Sequence, residues 1–246
     1  MSESKKEVRP YADQEGTKKE QVAQMFDNIA HSYDRLNHIL SLGIDKGWRK
    51  TLLKMAKNQS ADQVLDVATG TGDLAIALSK LNSTKITGVD ISNGMLDIGR
   101  IKVRKKMLDA QIELTYGDSE NLPFDDNTFD LVTVAFGVRN FENLEKGMRE
   151  MLRVLKPGGQ ILVLEFSQPE VFPFAQLYKF YFKYILPGIG RMLSKDASAY
   201  TYLPASVEAF PYGKAFTQVM EKCGYRDTSI RKLTLGVASI YRGVKE

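Results

Sequence analysis

The 246-residue chain predicts an α/β fold: a seven-stranded, mostly parallel sheet with helices on both faces, an N-terminal helical cap and an inserted lid. Three observations predict it. After about residue 60, short β-rich runs alternate with segments of helical periodicity, the signature of βαβ units. A glycine turn follows the first of those runs directly. Between residues 168 and 206 the alternation stops, and it resumes afterwards. Apolar residues make up 43% and charged residues 26%, which is the balance of a globular domain rather than a disordered or disulfide-stapled one.

Residues 1–20 carry ten charges that cancel and four apolar side chains, so they read as a flexible tail ahead of a single domain, 21–246. Within it, residues 21–58 form the helical cap: Val22, Met25, Phe26 and Ile29, then Trp48, Leu52 and Leu53, recur at helical spacing, with a break near Gly43. Strands are expected at QVLDV (63–67), KITGVD (85–90), IELTY (112–116), FDLVTVAF (129–136) and QILVLEF (160–166), with two more near 225–232 and 237–241. Helices are expected at 73–81, 95–107 and 214–222. A further apolar stripe, Leu144, Met148, Met151, Leu152 and Leu155, is stopped by Pro157, Gly158 and Gly159.

The 34 basic and 30 acidic residues leave a charge of +4, too small to imply a nucleic-acid partner and no obstacle to an anionic membrane surface. The single cysteine, Cys223, fits a reducing compartment and reads as a small buried residue. The first residues lack a secretory apolar run, and nowhere do 18 uncharged apolar residues follow one another. The expectation is a cytoplasmic protein, with peripheral membrane contact and a homodimer left open. His31 and His38 stand seven residues apart, which is not the spacing of a metal pair, so no metal site is expected.

The chemistry-bearing residues gather at strand ends. The first strand holds Asp66 and runs into a turn containing Gly70, Thr71, Gly72 and Asp73; glycines there permit a sharp turn and close approach of a ligand to the backbone. The second strand ends at Asp90, able to accept both hydroxyls of a ribose, and the third is followed by Asp118 and Ser119. Three strand ends thus converge on one crevice and imply a nucleoside. A dinucleotide would set its pyrophosphate against Asp66 and Asp73, whereas a cofactor carrying an ammonium and a sulfonium is favoured by them. Helix capping is the bland alternative for Asp73.

At this point the chain resembles the class I S-adenosylmethionine-dependent methyltransferases, with their Rossmann-like fold, and within them the ubiquinone/menaquinone biosynthesis C-methyltransferases. The segments that carry the resemblance are YDRLNHILSLGIDKGWRK (33–50), GDSENLPFDDNTFD (117–130), FGVRNF (136–141) and RVLKPGGQILVLEFSQP (153–169). It implies cofactor contact by Thr71, Asp90, Asp118 and Ser119, and methylation of a ring carbon of a demethylated prenyl quinol: demethylmenaquinol or the ubiquinone-pathway benzoquinol. Ala135 departs from relatives that have serine there. A methyltransferase acting on another small molecule, and a nicotinamide-dependent dehydrogenase, are the competing readings.

Carbon is a poor nucleophile, so the acceptor ring must be reduced and its hydroxyl partly deprotonated. Arg139 can lower that hydroxyl's pKa and Asn140 can orient it, while Tyr33 can close over the cofactor. Alternatives stand beside each: an ion pair of Arg139 with Glu142 or Glu145, capping by Asn140, plain packing by Tyr33. For the proton, a water between Arg139 and Asp118 is the expectation. Seven aromatics between Phe172 and Tyr184, with Lys179 and Lys183 among them and Pro173 and Pro187 at the borders, read as an amphipathic lid for a prenyl tail, or else as sheet packing. Arg100, Lys102, Arg104, Lys105 and Lys106 read as a solvated helix face or as a contact with anionic lipid.

Overall fold

A computed structural model of the chain describes residues 7–41, 43–57, 61–81, 85–181, 184, 188 and 198–246. Phe182, Lys183 and Pro187, together with the side chains of His38 and Lys179, lie outside the described residues.

The strands are β1 (Gln63–Val67), β2 (Lys85–Asp90), β3 (Ile112–Tyr116), β4 (Phe129–Ala135), β5 (Leu155–Phe166), β6 (Arg226–Leu233) and β7 (Ala238–Val244). They form one sheet in the order β3-β2-β1-β4-β5-β7-β6. The pairs from β3 through β5 are parallel, whereas β7 runs antiparallel to both β5 and β6. The order reverses between β1 and β4, so their carboxyl ends flank the crevice where ligands of such sheets bind.

The helices are α1 (Lys18–Leu40), α2 (Ile44–Ala56), α3 (Asp73–Leu78), α4 (Asn93–Lys105), α5 (Leu144–Val154), α6 (Phe174–Phe180), α7 (Ser198–Ala209) and α8 (Lys214–Lys222). Successive strand residues point to opposite faces, and here both faces are apolar. Leu65, Val67, Val132, Val134 and Val163 pack with Met148 and Met151 of α5 and Phe216 and Met220 of α8. Val64, Ile86, Leu131, Leu162 and Ile240 pack with Leu52 of α2, Leu74 and Leu78 of α3, and Leu96 and Val103 of α4. This double burial is why the strands read as near-continuous apolar runs.

A third cluster ties α1 to other helices: Val22, Met25, Ile29 and Ala30 of α1 meet Met95 of α4 and Ala199 and Tyr202 of α7. The helix α1 begins at Lys18, inside the segment expected to be a tail. Its start is held by long-range bonds, with the Lys18 amide donating to Glu142 and Lys18 Nζ donating to the Phe141 carbonyl at 2.8 Å. β5 also starts earlier than expected. The helix before it stops at Val154, Leu155 pairs with Phe129, and Gly158 takes a left-handed φ of 78° so that the strand can carry on past the turn residues.

Candidate active site

The turn after β1 places Gly70 at φ 56° and Gly72 at φ 77°, conformations that a side chain would strain. Gly70 donates its amide to Asp90 Oδ2 at 2.7 Å, and Ser92 donates its amide to Asp90 Oδ1 at 2.9 Å. Two backbone donors therefore aim the Asp90 carboxylate at the crevice while each oxygen keeps lone-pair capacity. Burial pushes this carboxyl up to about 6, against those backbone bonds. Gly72 plays a different part: it lines no wall of the crevice, and a Cβ there would meet Leu114 Cδ1 at 3.2 Å.

Asp66 is fully enclosed, and burial raises it to about 6. Thr69 and Thr133 each donate a hydroxyl to it at 2.7 Å. Thr71 donates to Asp34 at 2.6 Å. Lys102, expected on a solvated face, instead turns inward: its Nζ donates to Asp34 at 2.8 Å, to Thr71 Oγ1 at 3.1 Å and to Asp73. Arg49 of α2 pairs with Asp45 and approaches Asp73 at 3.6 Å. Asp73 is thus an ion-pair partner rather than a bare acid, and Asp34 and Asp45 join it in keeping the local acids, with Asp66, in excess over Arg49 and Lys102.

Three cavities meet at this end of the sheet. One, a groove lined by Asp90, Ile91, Asp118, Ser119 and Lys19, runs along β2 and β3. A second, polar cavity is lined by Asp34, Asp45, Arg49, Asp66, Gly70 and Thr71. The third is an apolar cavity of about 450 Å³ lined by Trp48, Phe166, Phe174, Tyr178, Arg139 and Tyr202, among others. Tyr33 and Phe136 line all three, so they mark the junction. Phe136 holds a φ of 59°, a strained value for an aromatic residue, of the kind that gathers at functional sites. Burial holds the Tyr33 phenol above its ordinary range, against the nearby Arg139 cation.

Arg139 and Asn140 sit on a short 3-10 turn, Val138–Asn140, after β4. Neither structural alternative for them is realised. Asn143, not Asn140, caps α5 by accepting from the Lys146 amide at 3.0 Å. Arg139 pairs with Glu165 at 3.0 Å rather than with Glu142 or Glu145. Its Nη1 also donates to the Phe136 carbonyl, and its guanidinium lies 5.5 Å from the centre of the Phe166 ring. Arg139 Nε, Asn140 Oδ1 and Tyr202 Oη are buried with no hydrogen-bond partner, and all three residues line the apolar cavity. Unsatisfied buried polar atoms are costly, and a ligand's polar groups would relieve that cost.

Asp118 belongs elsewhere. Its carboxylate accepts from Lys19 Nζ at 2.7 Å and from the Glu120 amide at 2.9 Å, and it does not line the apolar cavity. β2 and β1 stand between β3 and β4, a displacement of roughly 14 Å at the usual strand spacing. Asp118 lines the groove together with Asn140, whereas Arg139 lines the apolar cavity.

The described aromatics of the segment 172–184 divide between the apolar cavity and solvent. Phe174, Tyr178 and Tyr181 line the cavity, while Phe172, Phe180 and Tyr184 are exposed. His31 is exposed on α1. No cluster of three or more metal-ligating side chains occurs among the described residues. Cys223 is buried, with its thiol pushed up by that burial. Arg49, Lys102, Glu165, Phe136 and Tyr202 were not legible as site residues. Phe136 and Glu165 carried a signal by standing at the ends of strands, and Arg49 by lying in a segment that carries the resemblance.

A sheet of this order, with a glycine turn after β1 and acids at or beyond the ends of β2 and β3, defines a class I S-adenosylmethionine-dependent methyltransferase. Solved structures share the architecture: a SAM-dependent methyltransferase from Thermotoga maritima superposes with a TM-score of 0.64 at 20% identity, covering 91% of this chain and 99% of that one. A second, from Methanococcus maripaludis, gives 0.56 at 20% identity over 100% and 97%. The chain belongs to the ubiE/COQ5 methyltransferase family, whose model matches residues 14–245. It is 46% identical to a demethylmenaquinone methyltransferase of Bacteroides fragilis over 100% of both chains, and 47% identical to one of Porphyromonas gingivalis over 99% and 100%. It is 45% identical to a ubiquinone/menaquinone biosynthesis C-methyltransferase of Geotalea daltonii over 93% and 97%.

Proposed function

We propose that the protein transfers a methyl group from S-adenosylmethionine to a ring carbon of a demethylated prenyl quinol, turning demethylmenaquinol into menaquinol. The observation that carries the reading is the junction at Tyr33 and Phe136, where a polar, acid-rich cradle opens onto an apolar cavity whose wall holds uncommitted polar atoms. A cavity of about 450 Å³ falls in the range of small-molecule sites. The relatives named for this reaction align over the full chain.

In this reading Asp90 accepts the ribose hydroxyls, Gly70 lets the cofactor approach the backbone, and Asp118 and Ser119 face the adenine. Thr71 and the acids around it hold the cationic end. Asp66 acts one step back, fixing the turn through Thr69 and Thr133. When bound, the cofactor supplies an electrophilic methyl group. The chain's own residues then do three things. Arg139 stabilises the deprotonated form of the acceptor hydroxyl, which pushes electron density onto the attacked carbon. Asn140 Oδ1 accepts from the remaining ring hydroxyl and Tyr202 Oη bonds a ring oxygen, which fixes the ring's register. The aromatic walls exclude water, so a transfer that consumes a cation and an anion together occurs in a dry site.

The mouth of the cavity points to a lipid surface as the source of the acceptor. Ile44 and Leu177 both line the cavity and are 42% and 62% exposed, and Val171, Phe172 and Leu235, close in sequence to the lining residues Phe174 and Thr234, are exposed as well. Contiguous exposed apolar residues mark membrane or ligand contact. Among the described residues no helix is long and apolar enough to cross a membrane, so contact would be peripheral.

The test is incubation of purified protein with methyl-labelled S-adenosylmethionine and chemically reduced demethylmenaquinol, beside the ubiquinone-pathway benzoquinol. Label is expected in the naphthoquinol. Absence of label from both quinols, with cofactor bound, would overturn the assignment.

A further inference from the structure

We propose that Glu165, near the end of β5, is a positioning residue that clamps the Arg139 guanidinium and leaves its Nε–H free for the acceptor. The proposal rests on the reading of the apolar cavity as the acceptor site. Glu165 is wholly buried, and its partner's side chain is 7% exposed. Three donors converge on it: Arg139 Nη1 at 3.0 Å and the Phe166 amide at 2.8 Å on Oε1, and the Arg139 amide at 3.4 Å on Oε2. An ionised carboxylate, an acceptor at both oxygens, suits these three N–H groups; burial pushes the Glu165 carboxyl up, and the Arg139 cation opposes that shift.

The clamp has a direction. Glu165 and the Phe136 carbonyl take up Nη1, and the Phe166 ring lies beside the guanidinium at 5.5 Å. What stays uncommitted on this side is Nε, buried without a partner on a residue that lines the cavity. A planar guanidinium held at one end keeps its other donors in fixed orientation. An arginine left loose in an apolar cavity would sample many rotamers and present the Nε–H only part of the time. Glu165 itself does not line the cavity, so it acts through Arg139. The other titratable groups that sense it are the phenols of Tyr178, Tyr202 and Tyr241, all held above their ordinary range by burial.

The test compares Glu165→Gln, Arg139→Gln and the double variant in the full chain. Gln keeps the volume but presents an amide donor to donors. Glu165→Gln should lower kcat about tenfold or more while S-adenosylhomocysteine affinity stays within about twofold. The double variant should match Arg139→Gln alone, because a clamp has nothing left to do once the clamped group is gone. Losses that multiply in the double variant, or an unchanged kcat in Glu165→Gln, would overturn the proposal. Should Glu165→Gln fail to fold, the double variant, a neutral buried pair, still makes the comparison with Arg139→Gln.

A second readout needs no substrate. The ¹⁵N–¹H signal of Arg139 Nε, assigned by its loss in Arg139→Gln, should be sharp in the wild type and broadened in Glu165→Gln. A signal unchanged by that substitution would refute the clamp. Failure of the wild type to methylate either quinol while this signal behaves as expected would count against the proposed function and not against the clamp.

Discussion

Asp90 shows how one buried carboxylate links the fold to the ligand. Its oxygens are already aimed by the Gly70 and Ser92 amides, so removing the side chain takes away a turn anchor and, in the proposed reading, the ribose acceptor. Asp90→Ala should weaken S-adenosylhomocysteine binding about tenfold or more, the value of a charge-assisted hydrogen bond of ~1.5 to 3 kcal/mol; titration calorimetry measures it. Asp90 and Asp66 both sit near 6 in the folded chain, above the ordinary carboxylate value of 3.8 that the unfolded chain shows. The folded state therefore takes up protons first. These two groups stabilise the ligand-free fold progressively as pH falls through about 6, with no further gain below the unfolded value. Ribose hydroxyls donate to an ionised carboxylate, so affinity runs the other way and should fall between about pH 7.5 and pH 5, with most of that difference lost in Asp90→Asn. A flat affinity profile in the wild type would remove Asp90 from the ribose.

Arg139 calls for the opposite kinetic signature. Arg139→Lys keeps the charge but loses the planar fork that Glu165 and Phe136 hold. It should cut kcat by about tenfold or more and leave cofactor affinity within about twofold. Steady-state kinetics beside calorimetry separates the two, and a loss confined to cofactor binding would move Arg139 out of the acceptor site.

At the scale of elements, α1 is stitched to α3 and α4 by polar contacts between residues distant in the chain. Asp27 of α1 accepts from Ser92 Oγ at 2.6 Å and from the Gly94 amide at 2.8 Å, at the very start of α4. Lys102, near the other end of α4, holds Asp34 of α1 and Asp73 of α3 together. Lys102→Met leaves two partly exposed acids facing each other. It should cost about 1 kcal/mol, seen as a Tm lowered by ~2 to 4 °C in a thermal scan.

Around α6, Phe174 and Tyr178 line the cavity while Phe172 and Phe180 are exposed. Phe172→Asp combined with Leu235→Asp places charge on the rim without touching the cavity walls. Vesicle flotation should show weaker binding to anionic liposomes, and turnover of a long-tailed quinol in vesicles should fall several-fold while a short-tailed one in solution is unaffected. Equal loss on both substrates would mean that the rim serves the pocket and not a membrane.

For the molecule as a whole, binding and stability are coupled because the cofactor crevice is framed by α1, α3, α4 and the ends of four strands. A ligand at about 100 times its Kd adds ~2.7 kcal/mol, which for a chain of this size raises Tm by ~5 to 10 °C. S-adenosylhomocysteine should produce that shift and NADH should not. A shift with NADH alone would revive the dehydrogenase reading, which the acidic surroundings of Thr71 disfavour.

The seven strands, the glycine turn, and Asp90 and Asp118 were legible in the sequence, because strand and helix periodicity and turn chemistry are local and leave their mark within a few residues. The order of strands then dictated that these acids share a crevice. Tertiary structure alone decided the rest. Lys102 turns inward because Asp34, 68 residues away, lies over it. Arg139 chose Glu165, 26 residues on, over nearer acids, because β4 and β5 pair in parallel and carry the two side by side. Asp118 lines the groove along β2 and β3 and not the apolar cavity. Tyr202 became a cavity wall only when α7 folded onto α1. Such pairings depend on how elements far apart in the chain pack, and no local pattern records them.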